Sequence, residues 1–177
     1  LPMSAWYARA WGLPIGNIIC CCNENGNLWN LIHHGQFRTD MVSTPTGTPE
    51  ADVTLPAGLE RLIYACGGLA EVDIYLDACR RGGMYCPRDS VLSRLGEGLD
   101  VSVSSRRMIS TISGIRGSAG YLLSPYAALA YAGLLDFRGR TGESCHALVL
   151  AEKSPICDAG TVANALGVSE DALEQYL

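Results

Sequence analysis

Lysine is almost absent from this sequence: Lys153 is the sole example in 177 residues, and thirteen Lys and Arg face eighteen Asp and Glu for a formal net charge of -5. The basic residues stand singly or as the pairs Arg80-Arg81 and Arg106-Arg107. No basic face is offered to a phosphate backbone, which argues against nucleic acid as a partner. Long apolar runs are missing too. None approaches the roughly 20 residues that a bilayer-spanning helix needs, and no basic stretch precedes an apolar one at the N-terminus. The chain therefore reads as a cytosolic protein with no membrane partner. Metal knuckles are the third absence. Of eight cysteines, Cys20, Cys21 and Cys22 are consecutive and the rest lie far apart, with no C-x-x-C or C-x-x-H spacing. Reduced, mostly buried thiols acting as small hydrophobes are expected, and no metal. His33 and His34 are neighbours on a helix and point to different faces, so a surface or partly buried pair is expected rather than joint ligation of one ion.

What is present is an α/β pattern. At 48% hydrophobic and 18% charged residues, the chain can bury a core as one domain or as part of a larger one. Ala5 to Trp11 continue a helix to about Gly12, opened by Pro2, and Ile15 to Cys22 form a strand rich in β-branched residues. A polar bend, Asn23 to Gly26, follows, and Asn27 is placed to cap a helix carrying Leu28, Leu31 and Ile32 on one face. In open parallel sheets ligands bind just past the carboxyl ends of strands, which is where this bend sits. Asn23 and Asn25 have no hydrophobic role there. Either one lines a ligand cleft, or both are strand-end turn residues with self-satisfied amides.

The stretch from Phe37 to Pro56 is rich in Thr, Pro, Gly and Asp and reads as a long surface or cleft loop, a kind often tied to function. Helices follow: Leu59 to Cys66 ended by Gly67-Gly68; Val72, Leu76 and Cys79 ended by Gly82-Gly83; and Arg88 to Leu95. Leu99 to Val103 alternates as a strand, with Ser104 or Ser105 as cap for a helix through Ile109, Ile112 and Ile115. Gly114, Gly117 and Gly120 miss the G-x-G-x-x-G pattern and read as helix termination. Ser124-Pro125 opens another helix, His146 to Ala151 reads as a buried strand, Pro155 starts a helix that Gly167 ends, and Ser169 caps a last one.

Four blocks carry a resemblance in order: GLPIGNIICCCNENGNLWNLIHHGQF (12–37), TPEADVTLPAGLERLIY (48–64), GYLLSPYAALAYAGLLD (120–136) and HALVLAEKSP (146–155). Together they resemble the C-terminal half of threonine synthase, a fold-type II pyridoxal-phosphate enzyme. The resemblance implies an open, mainly parallel sheet flanked by helices, and residues 1–177 as the C-terminal region of a longer enzyme. It implies pyridoxal 5'-phosphate as cofactor and O-phosphohomoserine as the small-molecule substrate, converted to threonine and phosphate. In the family a Gly/Asn-rich phosphate loop precedes the opening helix, and a Schiff-base lysine lies upstream. Both would precede Leu1, in a missing N-terminal half that becomes this chain's first partner.

The resemblance also points to site residues. The family's Thr-Asn-x-Asn bend matches Asn23 and Asn25. The family's Thr near the pyridine nitrogen matches Glu152, or Ser154 if the frame shifts by two, and a His matches Tyr126. Glu152 is thus either a solvated rim residue or the group facing the pyridine nitrogen, where a carboxylate would favour its protonated form. Lys153 reads as a surface lysine, although a desolvated amine is the right type for an imine. No catalytic residue is expected within the chain, which by itself should be inactive. A cleft left open by an absent half would favour self-association into a homo-oligomer. Two alternatives stand beside this reading: a related phospho-lyase that eliminates phosphate from a phosphorylated hydroxy-amino acid without making threonine, and a non-catalytic interaction domain that kept the fold.

Overall fold

The computed structural model describes residues 2–97, 99–103 and 105–176. The chain divides into two units: Leu1–Cys20, Asn25–Thr44 and Asp52–Val101 form the first, and Cys21–Glu24, Pro45–Ala51 and Ser102–Leu177 the second. Helices dominate, with little sheet. Strands β1 (Ile18–Cys22) and β4 (Leu99–Val103) pair, as do β2 (Phe37–Arg38) and β3 (Met84–Tyr85). The α/β class holds, but the sheet is far smaller than an open parallel one, and the β2–β3 pair is antiparallel, Phe37 opposite Tyr85.

In the first unit, α1 (Pro2–Ala10) leads to β1, which begins at Ile18 rather than Ile15. Helix α2 (Asn27–His34) starts after Gly26, so Asn27 is its first residue and not its cap. Gly35 ends α2 at φ 64°, where its N–H reaches back to the last-turn carbonyls. Helix α3 (Leu59–Arg81) is continuous in outline but broken at Gly68, whose φ 74° and ψ -171° are not helical. The Gly67-Gly68 stop read from sequence is thus a kink. Before it Leu59, Leu62, Ile63 and Cys66 are buried; after it Glu71, Val72 and Tyr75 are, in place of Leu76 and Cys79. The break would orphan carbonyls, and Arg94 of α4 (Asp89–Gly96) meets two of them: Nη1 donates to Cys66 O at 2.8 Å and Nη2 to Ala65 O at 3.2 Å. Tyr75 meets Phe37 and Tyr85 edge-on, at centroid distances of 5.8 and 5.3 Å, in the buried centre of this unit.

The second unit is built on α5 (Ser105–Ala119), α6 (Pro125–Thr141) and α7 (Ala159–Leu166). Met108, Ile112, Leu123, Ala128, Val162 and Leu173 fill its core. Ser124 caps α6 by accepting from Ala127 N at 3.2 Å, with Pro125 in the first turn, as its sequence dictates. Alanines at 127, 128 and 132 are buried and let neighbouring helices approach closely. Gly114 and Gly117 lie inside α5, and only Gly120, at φ 68°, is past its end. Ser104 and the Ser105 side chain fall outside the described residues. Pro155 and Glu170 open 3-10 turns, Pro155–Asp158 and Glu170–Tyr176, rather than α-helices, although Gly167 does end α7.

Two expectations about burial fail. Residues 146–151 form no strand and are largely exposed, with Leu148 at 86%. An apolar strand can be buried only where a neighbouring strand satisfies its backbone groups, and among the described residues none pairs with it. Nor are the cysteines mostly buried: Cys20 and Cys66 are, Cys21, Cys22 and Cys79 are half-buried, and Cys86, Cys145 and Cys157 are exposed. Among the described residues no helix is long and apolar enough to cross a membrane.

Candidate functional site

The polar bend after β1 is tied down by the long Thr-rich loop. In the second unit, Asn23 is 2% exposed and its Nδ2 donates to Thr46 Oγ1 and Thr48 Oγ1, both at 3.0 Å. In the first unit, Asn25 Nδ2 donates to Thr44 O at 2.8 Å and Asp52 Oδ1 at 3.0 Å, while its Oδ1 accepts from Thr44 N at 2.7 Å. Asn27 does the same, donating to Arg38 O at 2.6 Å and Thr54 O at 3.0 Å and accepting from Arg38 N at 3.0 Å. These amides are not self-satisfied within the turn. They fasten a segment 11 to 27 residues away, so the loop runs in a set path. Asn27 and the threonines were missed as site residues. The signal was available: Asn at 23, 25 and 27 and Thr at 44, 46 and 48 both alternate, as paired extended stretches do.

The second unit gathers a further cluster on the same loop. Glu50, in the 3-10 turn Pro49–Ala51, donates its backbone N–H to Tyr126 Oη at 3.2 Å. Its carboxylate pairs with Lys153, whose ammonium lies over the Tyr126 ring, 5.3 Å from the centroid. The Lys153 pKa is raised, first by its hydrogen bond to Glu50. Burial pushes the Tyr126 hydroxyl up as well. Asp158, which acts on both, holds a buried Oδ2 with no hydrogen bond among the described residues. Lys153 is thus held as a cation, the wrong state for a nucleophilic amine. Glu152 and Ser154, on either side of it, are exposed. The structure brings Asn23, Tyr126 and Lys153 to one loop of the second unit, whereas Asn25 belongs to the first. Among the described residues, no three His, Cys, Asp or Glu side chains are grouped to hold a metal ion.

The fold so described occurs in a pyridoxal-phosphate enzyme. The structure of PLP-bound threonine synthase from Brucella melitensis matches 94% of this chain with a TM-score of 0.83 at 24% identity, and the chain covers 36% of it. Yeast threonine synthase matches 98% with a TM-score of 0.84 at 22% identity, the chain covering 38% of it. In sequence, too, the chain is threonine synthase-like. It is 26% identical to the threonine synthase of Pseudomonas aeruginosa over 71% of its length, and 24% identical to that of Corynebacterium glutamicum over 96%. It spans only 27% and 36% of those two relatives. No family model matches the chain.

Proposed function

We propose that residues 1–177 are the C-terminal region of a threonine synthase-like, pyridoxal-phosphate-dependent lyase, which as a longer protein converts O-phosphohomoserine to threonine and phosphate. The observation that carries this reading is agreement of sequence and fold with the same enzymes across nearly the whole chain. The cofactor, when bound, supplies an electron sink for bonds at the substrate's α-carbon.

This chain's share in holding the cofactor is non-covalent. Its single lysine is tied to Glu50 and stacked on Tyr126, so covalent anchoring falls to a lysine elsewhere in the longer protein. Glu152, an acceptor for a protonated pyridine nitrogen, and Ser154, a donor to a neutral one, are exposed on the segment that flanks it, and Asn23 and Asn25 shape the bend. The same reading carries a cytosolic location, and self-association of the isolated chain through the apolar surface that residues 146–151 present.

Product analysis tests it. The longer protein, given pyridoxal phosphate and O-phosphohomoserine, should release threonine and phosphate in equal amounts. Phosphate without threonine would mean the eliminating phospho-lyase, and no turnover of any phosphorylated hydroxy-amino acid would leave an interaction domain.

A further inference from the structure

The segment Pro45–Ala51 has no regular structure before its 3-10 turn, yet it is fastened along its whole length. At Gly47, the carbonyl accepts from Thr161 Oγ1 on α7 at 3.3 Å. A Cβ there would fall 2.8 Å from Met108 Cε and 3.2 Å from Thr161 Cγ2, so the backbone lies against the core. On either side, the Thr46 and Thr48 hydroxyls accept the Asn23 amide at 3.0 Å. At the far end Glu50 is held twice, through its N–H by Tyr126 and through its carboxylate by Lys153.

The last attachment differs from the others. Gly47 and Thr48 are packed positions that any fold would need filled. Glu50 is 67% exposed, and a pair so placed contributes little to global stability. What it does fix is local. It joins the segment bearing Glu152 and Ser154 to the loop whose threonines grip Asn23, by way of Tyr126, whose hydroxyl accepts the Glu50 N–H and whose ring lies under Lys153. The raised Lys153 pKa agrees with a cation kept in place for this contact.

We infer that Lys153 is a positioning residue: with Glu50 and Tyr126 it forms a clasp that orders the Pro45–Ala51 loop and thereby sets the Asn23 amide. The clasp stands on the observed contacts alone. Its bearing on a cofactor rests on the function proposed above.

The 177-residue chain itself provides the test. The amides of Thr48, Glu50 and Ala51 report on the loop, since they donate to Thr46 Oγ1 at 3.1 Å, Tyr126 Oη at 3.2 Å and Thr48 O at 2.9 Å. Lys153→Met and Glu50→Gln should each speed their hydrogen exchange about three- to fivefold, with the denaturation midpoint unchanged. Lys153→Arg, which keeps a cation that can stack on Tyr126 and pair with Glu50, should restore slow exchange. Unchanged exchange in Lys153→Met overturns the inference. So does faster exchange across the whole second unit, or failure of Lys153→Arg to rescue. A separate arm adds pyridoxal phosphate to the longer protein and records its absorption spectrum. A loosened loop with an unaltered spectrum would overturn the cofactor reading and leave the clasp standing.

Discussion

Arg88 Nε donates to Glu71 Oε2 at 2.7 Å, joining a guanidinium that is 60% exposed to a carboxylate with no exposure at all. The other oxygen, Glu71 Oε1, accepts from Tyr85 Oη at 3.0 Å and from Arg88 N at 3.3 Å. Burial first, then Glu71, raises the Tyr85 pKa, so Tyr85 stays a hydrogen-bond donor at ordinary pH. A buried carboxylate is tolerated only when so completely met. Arg88→Ala removes its charged partner and should cost about 2–3 kcal/mol in urea denaturation, a charged hydrogen bond's worth. Arg88→Lys should recover part of that.

The kink in α3 gives a second expectation. A Cβ at Gly67 would fall 2.7 Å from Glu71 Cβ and 2.9 Å from Val91 Cγ2, and Gly68 occupies a φ of 74°. Gly67→Ala should therefore destabilise by about 1–3 kcal/mol through overpacking. Gly68→Ala should do so by a similar amount through backbone strain. Arg94→Ala leaves the Ala65 and Cys66 carbonyls without its guanidinium, and should cost about 1–3 kcal/mol. Thermal melts of the three variants check this, and a Gly67→Ala protein as stable as the parent would contradict the packing described.

These two examples show what the sequence could and could not reveal. Helix ends punctuated by glycine, the Ser124-Pro125 start and the β4 strand were legible because local chemistry decides them. The Gly67-Gly68 stop became a kink because Arg94, distant in sequence, satisfies the broken turn's carbonyls, and no local rule sees such a partner. The His146–Ala151 stretch has a strand's composition, but a strand also needs a neighbour, which composition does not supply. At the candidate site, Asn23 and Asn25 stand out by lacking a hydrophobic role, whereas the threonines that hold them are marked only by an alternation that matches the asparagines' own. The Lys153 contacts with Glu50 and Tyr126 span much of the chain and had no sequence signature.

Loss of the amide staples should be felt in two ways. Asn25→Ala deletes three hydrogen bonds to Thr44 and Asp52, and should lower stability by about 1–3 kcal/mol. Asn23→Ala, which releases Thr46 and Thr48, should act similarly on the second unit. On the function proposed above, both changes should reduce the longer protein's turnover by more than the stability loss explains. Full turnover by folded Asn23→Ala and Asn25→Ala enzymes would make these residues staples alone.

Lys153 should resist labelling. Its pKa lies above the ordinary 10.5, so at pH 8 the neutral amine is scarcer than in a free lysine. Treating the 177-residue chain with pyridoxal phosphate and then borohydride, followed by peptide mapping, should give no stoichiometric label at Lys153, and the chain should show no elimination activity. Glu50→Gln should label faster. Full labelling of the parent at Lys153, with activity, would instead place a complete site within this chain.

The interleaving of the two units bears on synthesis at the ribosome. The first unit has all its residues once Val101 has been made, whereas the second takes Cys21–Glu24 and Pro45–Ala51 from within that earlier stretch and waits for Ser102–Leu177. At about 5–20 residues per second, those pieces remain without their partners for roughly 4–15 s. Gly47 and Glu50 pass that interval awaiting Thr161, Tyr126 and Lys153. A released chain ending at Val101 should thus already shield Tyr75 and Tyr85 from protease while the Pro45–Ala51 loop is still cut.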